Sequence, residues 1–261
     1  MTASPFPRAA LLVALLVGAL AAPAFAGVRL EAVTRRVDAQ EGPQRERTTL
    51  RVEGSRLRVD SGDGRGTLLY DAGTAKAWLL DHRDKQYVSV DRSQARALAN
   101  QARTLQTELR KRLEGRLSPA QLVAAEGLLG DVSRAEAEAV RVRETGGRGE
   151  VAGVACREME VLRGEERVAE LCGAAPEAAG LPPEAFAVLR DAAAFAEESV
   201  GGLAPGGISE SGLDLIRGAG NLDVLPLRVR AFEDGQLVAE SEVQQVVQEA
   251  MPPDTFALPD G

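Results

Sequence analysis

Between residues 49 and 90 the chain offers five short runs of strand formers, at 49–52, 56–60, 67–70, 76–80 and 86–90. The links between them are turn residues: Glu53-Gly54-Ser55, Asp71-Ala72-Gly73 and Asp81-His82-Arg83-Asp84 among them. Links this short cannot make the crossover that parallel strands require, so neighbours in sequence must be antiparallel neighbours in space. This dictates a meander. Alternation fixes its faces: Leu50, Val52, Leu57 and Val59 share one side, while Arg51, Arg56 and Arg58 share the other. A strand at Val28-Arg29-Leu30-Glu31-Ala32 precedes the meander, separated from it by a loop around Gly42-Pro43.

Helical periodicity follows. From Ser93 onward, Leu98, Ala102, Leu105, Leu109 and Leu113 form a narrow apolar stripe on an otherwise charged rod. Ser118-Pro119 is an N-cap followed by proline at the first helical position, and starts a second helix through Leu129. Strand character returns at 139–143, and Gly146-Gly147-Arg148-Gly149 reads as a loose turn. Pro182-Pro183 introduces a third helix through Phe186, Leu189, Ala193 and Phe195. A helical turn from Ser209 follows, then a closing hairpin at 225–232 and 237–247 about Asp234-Gly235. Strands and helices are segregated rather than alternating, which is the mark of an α+β fold. No linker-like stretch divides the chain, so one domain is expected over residues 27–261.

Residues 1–26 read as a signal peptide. Arg8 precedes an apolar run that ends in Ala24-Phe25-Ala26, and cleavage is expected after Ala26. Gly18 and Pro23 break the run below the ~20 residues of a good membrane span. The mature chain would be a periplasmic protein of 235 residues with net charge −9, without a transmembrane segment. That charge argues against nucleic acid and anionic headgroups as partners, but leaves apolar ligands open. Aromatic residues are 3% of the chain, so Leu, Val and Ala must build the core.

Export also places Cys156 and Cys172 where disulfides persist. Folding the segment between them about Gly164 sets the two cysteines opposite each other, with Glu158 opposite Glu170 and Met159 opposite Ala169. A disulfide is the expected outcome. No Cys-x-x-Cys and no nearby histidine supports a redox or metal role.

Little else carries chemistry. His82, the single histidine, lies in a polar turn, and the glycines lie at turns rather than in a phosphate loop. No catalytic residue, metal ligand or cofactor is assigned. Arg56, Arg58, Arg228 and Arg230 alternate on strands, where pairing with neighbouring acids is the simpler role. Leu57, Val59, Trp78, Leu80, Tyr87, Phe186 and Phe232 are candidates for lining an apolar cavity.

Several stretches, taken in order, resemble a known family. They are 52–60, Leu69-Tyr70-Asp71, Leu79 to Tyr87, Val151 to Val161, Pro226 to Gly235 and Phe256-Ala257-Leu258-Pro259. Together they resemble an uncharacterised family of exported bacterial proteins, itself similar to the outer-membrane lipoprotein carrier and receptor proteins. The resemblance implies a strongly curved, incompletely closed antiparallel β-barrel with helices covering its concave face. In the carriers that cavity receives lipoprotein acyl chains. Their functional residues do not map here, and none is transferred.

Two readings follow. The first is a non-enzymatic carrier or binding protein for a lipid or acylated peptide, with helices near Ser93 and Pro183 as lid and glycines near 201 and 207 as hinges. The second is an envelope module with a filled core that binds a protein partner. A hydrolase ranks behind both, for want of proton-transfer groups.

Overall fold

The computed structural model describes residues 27–38, 42–114, 140–199 and 222–259. The leader, the helix from Ser118, the turn from Ser209 and the glycines near 201 and 207 lie outside the described residues.

Eleven strands form one antiparallel sheet. A first meander comprises β1 (Gly27–Asp38), β2 (Gly42–Glu53), β3 (Arg56–Ser61), β4 (Gly66–Asp71), β5 (Lys76–Asp81) and β6 (Gln86–Asp91). A second comprises β7 (Val140–Val151), β8 (Val154–Arg163), β9 (Glu166–Ala174), β10 (Leu225–Glu233) and β11 (Gln236–Glu249). The meanders join where β11 pairs with β1, so the sheet ends in β6 on one side and β7 on the other. Two described α-helices accompany it: α1 (Arg92–Glu114), which follows β6 directly, and α2 (Pro183–Ser199).

Turn chemistry sets much of this register. Glu233 pairs with Gln236, leaving Asp234 and Gly235 as a two-residue turn with φ of 49° and 73°. Both values are positive, as the tight hairpin turn demands, and Asp-Gly tolerates them. The first hairpin is longer than alternation suggests: Gly42 and Pro43 lie within β2, opposite Asp38 and Val37, rather than in a loop. Likewise the glycines at 146, 147 and 149 lie within β7, where the register shifts between Glu144 and Arg148.

One buried cluster contains residues from β1 to β5, from β7 to β10, and from α2. Laid flat, eleven strands would span about 48 Å, far wider than one helix. A single cluster around α2 therefore requires the sheet to curl. The approach of β7 to β11, four strands away in the order, shows the same curvature. The fold is an incompletely closed antiparallel half-barrel with α2 on its inner face. Leu50, Val52, Leu57 and Val59 all point into that face, and Leu57 is 0% exposed.

Candidate functional site

The inner face is an apolar trough. Cross-strand pairing sets Val28, Val52, Leu57, Tyr70 and Ala77 in one row, and Leu30, Leu50 and Val59 in the next. All eight are buried. On the other half of the sheet, Met159, Leu171, Leu227 and Val229 join the same cluster. α2 fills the trough with Ala185, Phe186, Val188, Leu189, Ala192, Ala193 and Phe195. Alanine takes much of the contact face because a small side chain lets a helix approach a curved sheet closely.

At the rim, polar groups hold α2 in place. Asp191 accepts a hydrogen bond from the Tyr70 hydroxyl on β4 and another from Arg92 Nη2 at 2.9 Å. Arg92 also reaches the Asp191 carbonyl at 3.3 Å and pairs through Nε with Glu198 at 3.4 Å. Arg96 donates to Glu198 at 2.9 Å. Phe195 lies tilted on the Tyr70 ring, with centroids 5.1 Å apart. Sheet, α1 and α2 are thus tied at one corner. Burial raises the Tyr70 pKa, and the Asp191 carboxylate raises it further. The hydrogen bond to Asp191 in turn raises that of Arg92. The five polar residues of this corner, Tyr70, Arg92, Arg96, Asp191 and Glu198, give little sign of it in the sequence. The one available signal was Asp191, an acid inside an alanine-rich helix.

The seven candidate lining residues divide. Leu57, Val59 and Phe186 lie in the inner cluster. Trp78, Leu80 and Tyr87 do not, because register places them on the opposite face. Trp78 pairs across with Leu69, and Leu69 with Arg58; Leu80 pairs with Thr67 and with Tyr87. Phe232 lies under the Arg167 guanidinium, 4.2 Å from its ring centre, outside the buried cluster. One cavity cannot be lined by all seven.

The outer face is charged and paired. Arg56 meets Glu53 at 3.1 Å, Arg58 meets Asp60 at 2.8 Å, Arg228 meets Glu158 at 3.5 Å and Arg230 meets Glu240 at 2.7 Å. No unpaired basic patch arises from these four. The C-terminal tail crosses this face: Arg58 Nη1 donates to the Thr255 carbonyl at 2.9 Å, and Arg56 lies 4.7 Å over the Phe256 ring. Beneath the tail is a polar cavity of about 280 Å³, lined by Arg51, Arg58, Asp60, Pro252, Asp254 and Thr255. With both charge signs in its walls, it is poorly matched to an apolar ligand. His82 is engaged rather than free in solvent: its Nε2 lies 2.8 Å from Thr67 Oγ1. Among the described residues no three His, Cys, Asp or Glu side chains gather as a metal site. None of the described helices is long and apolar enough to cross a membrane.

Cys156 and Cys172 form a disulfide with Cα atoms 5.4 Å apart. The cysteines are not directly opposed. Glu158 faces Cys172 and Met159 faces Leu171, so the bond runs diagonally between β8 and β9. A shift between Val161 and Leu162 moves the register from the one expected by folding about Gly164. The opposed acids are Glu160 and Glu170 instead. Each has its own cation, Arg143 at 2.6 Å for Glu160 and Arg167 for Glu170.

No family model matches the chain. No curated protein matches it either. Solved structures give more distant likenesses. A chain of the Pseudomonas aeruginosa MucA/MucB complex is 14% identical with a TM-score of 0.38 over 89% of this chain and 56% of that one. This chain thus spans little more than half of that relative's length. A LolA-superfamily protein from Nitrosomonas europaea is 9% identical, with a TM-score of 0.31 over 90% of this chain and 91% of its own. A putative outer membrane lipoprotein-sorting protein domain from Vibrio parahaemolyticus is 8% identical, with a TM-score of 0.30 and the same coverage. Solved structures similar to this chain thus include MucB and a LolA-superfamily protein.

Proposed function

We propose that the protein is an exported, non-enzymatic binding protein that carries an apolar ligand, a lipid or an acylated peptide, between its inner sheet face and α2. The periplasm is the compartment that suits the Cys156–Cys172 bond, since disulfides persist in oxidising surroundings. It works there as one domain, residues 27–261.

The observation that carries this reading is the contrast between what α2 buries and what holds it. Its inner contacts are apolar and non-directional, within one buried cluster that takes in both halves of the sheet. Its directional side-chain contacts include those of Asp191 and Glu198 with Arg92 and Arg96 at the rim and of Arg190 with Asp223 at 3.1 Å, each made by an α2 residue outside that cluster. An apolar chain can replace non-directional contacts atom for atom, so α2 can be displaced by a ligand once the rim contacts give way.

Native mass spectrometry of the oxidised chain, purified from periplasm and then incubated with oleate, tests the proposal. Bound mass that is released on organic extraction as one lipid class is the expected result. A clean apo mass that takes up no oleate contradicts the carrier reading.

A further inference from the structure

The floor of the trough is not wholly apolar. Alternation carries the inner face along β1 from Val28, Leu30 and Ala32 to Thr34, and along β2 from Val52 and Leu50 to Thr48. β11 adds Ser241 directly opposite Thr34, next to Val243 opposite Ala32. The three hydroxyl residues therefore sit together where the two meanders join, and each is 2% exposed. Leu50, Ala32, Val243 and Val229 surround them, all members of the inner cluster.

The hydroxyls are not equally provided for. Thr34 Oγ1 lies 2.8 Å from Ser241 Oγ, so one donates to the other and one hydrogen of the pair is left for a further acceptor. Thr48 Oγ1 is buried and has no hydrogen-bond partner among the described residues. Thr48 lies opposite Ala32 and is only diagonal to Thr34, a separation of about 7–8 Å in a sheet and too wide for a direct bond. Ser61 faces it on the other side, but Ser61 Oγ is bonded to Asp63 and to Gly66 in the turn after β3. A buried hydroxyl without a partner is costly, and valine, of nearly the same shape, avoids that cost.

We infer that Thr48, Thr34 and Ser241 form the polar end of the ligand site, and that they take an uncharged oxygen acceptor, an alcohol or an ester, rather than an ionised carboxylate. This rests on the reading of the inner face as a site for an apolar ligand. The apolar chain lies along Leu30, Leu50 and Val59, and Thr48, two residues beyond Leu50, is about 7 Å further along the same face. Charge decides the kind of head. The charged side chains next on this face are Glu46, opposite Thr34, and Arg36, two residues beyond Thr34. They bring one charge of each sign, and each already has a partner of its own. The patch thus has no spare positive charge to offset a buried carboxylate, whose desolvation is expensive. An ester or alcohol oxygen loses far less on leaving water, and the two available hydroxyl hydrogens restore its bonds.

Titration of the oxidised chain, purified from periplasm and delipidated, with monoolein and with oleate tests this by native mass spectrometry. The two probes share one acyl chain and differ in the head, and mildly alkaline solution keeps oleate ionised. Monoolein should bind about tenfold tighter than oleate. Thr48→Val should weaken monoolein about fivefold, leave oleate unchanged and raise the urea midpoint of the ligand-free chain, since it deletes a buried hydroxyl that has no partner there. A threonine with a merely structural role would lose stability on that change. Oleate binding as tightly as monoolein, a Thr48→Val chain that is destabilised, or one that holds monoolein as well as the wild type overturns the polar subsite and leaves the apolar trough standing. Uptake of neither probe by the wild type overturns both.

Discussion

The inner and outer faces of this sheet share every strand and almost no chemistry. On the inner side, Leu50, Leu57 and Tyr70 belong to a cluster that extends into α2. One residue along, Arg51 and Arg58 turn outward to Asp60, and Arg58 holds the C-terminal tail by its Thr255 carbonyl. The inner face is held by area removed from water, which is insensitive to direction. The outer face is held by ion pairs, which are directional, hydrated and weak. A ligand can substitute for the first kind of contact, but not readily for the second. The candidate site therefore lies under α2 and not under the tail, although both cover the same strands.

Substitutions on the two faces should differ accordingly. The largest effect is expected on the inner side, where Leu57→Ala should cost about 3 kcal/mol in urea denaturation. A cost below that of an outer-face substitution would end the distinction between the faces. Replacing Cys156 and Cys172 by serine should cost about 2–4 kcal/mol by releasing the β8–β9 pair, while leaving any ligand uptake intact. Loss of uptake together with stability would move the site toward the disulfide.

Asp191→Ala removes acceptors for Tyr70 and Arg92 and should cost about 1–2 kcal/mol, since both are charge-assisted bonds at a half-buried rim. Oleate should bind faster to this variant, as α2 loses its ties. The Tyr70 pKa is raised in the fold, so its contribution is fully present below the ordinary tyrosine value of 10.0 and is lost as pH climbs beyond it. Tyr70→Phe should flatten that alkaline loss in denaturation series at rising pH. The smallest change is expected outside: Arg58→Ala should cost less than about 1 kcal/mol, and less still at high salt.

These same residues explain how far the sequence reaches. Where strands are half buried, alternation and turn length together gave the answer, as for Leu50, Val52, Leu57 and Val59. In β4 and β5 both faces hold apolar groups: Leu69 and Leu80 are buried outside, Tyr70 and Ala77 inside. Alternation there has no contrast to report, which is why Trp78 and Leu80 read like Leu57 in the sequence. Register shifts are equally silent. Nothing in the composition of Val161-Leu162 announces the shift that sets the disulfide on a diagonal. The stripe on α1 is legible as a stripe, but its exposure depends on Ala95 and Ala99 being the buried side of that helix. The rim around Asp191 joins residues 70, 92 and 191, and only the fold brings them together.

Hydrogen–deuterium exchange with and without oleate measures the two faces in one experiment. The expected result is that oleate changes exchange in α2, from Ala185 to Ala196, and leaves the tail from Pro252 to Pro259 unaltered. Exchange that changes in the tail while α2 stays protected would contradict an inner-face site.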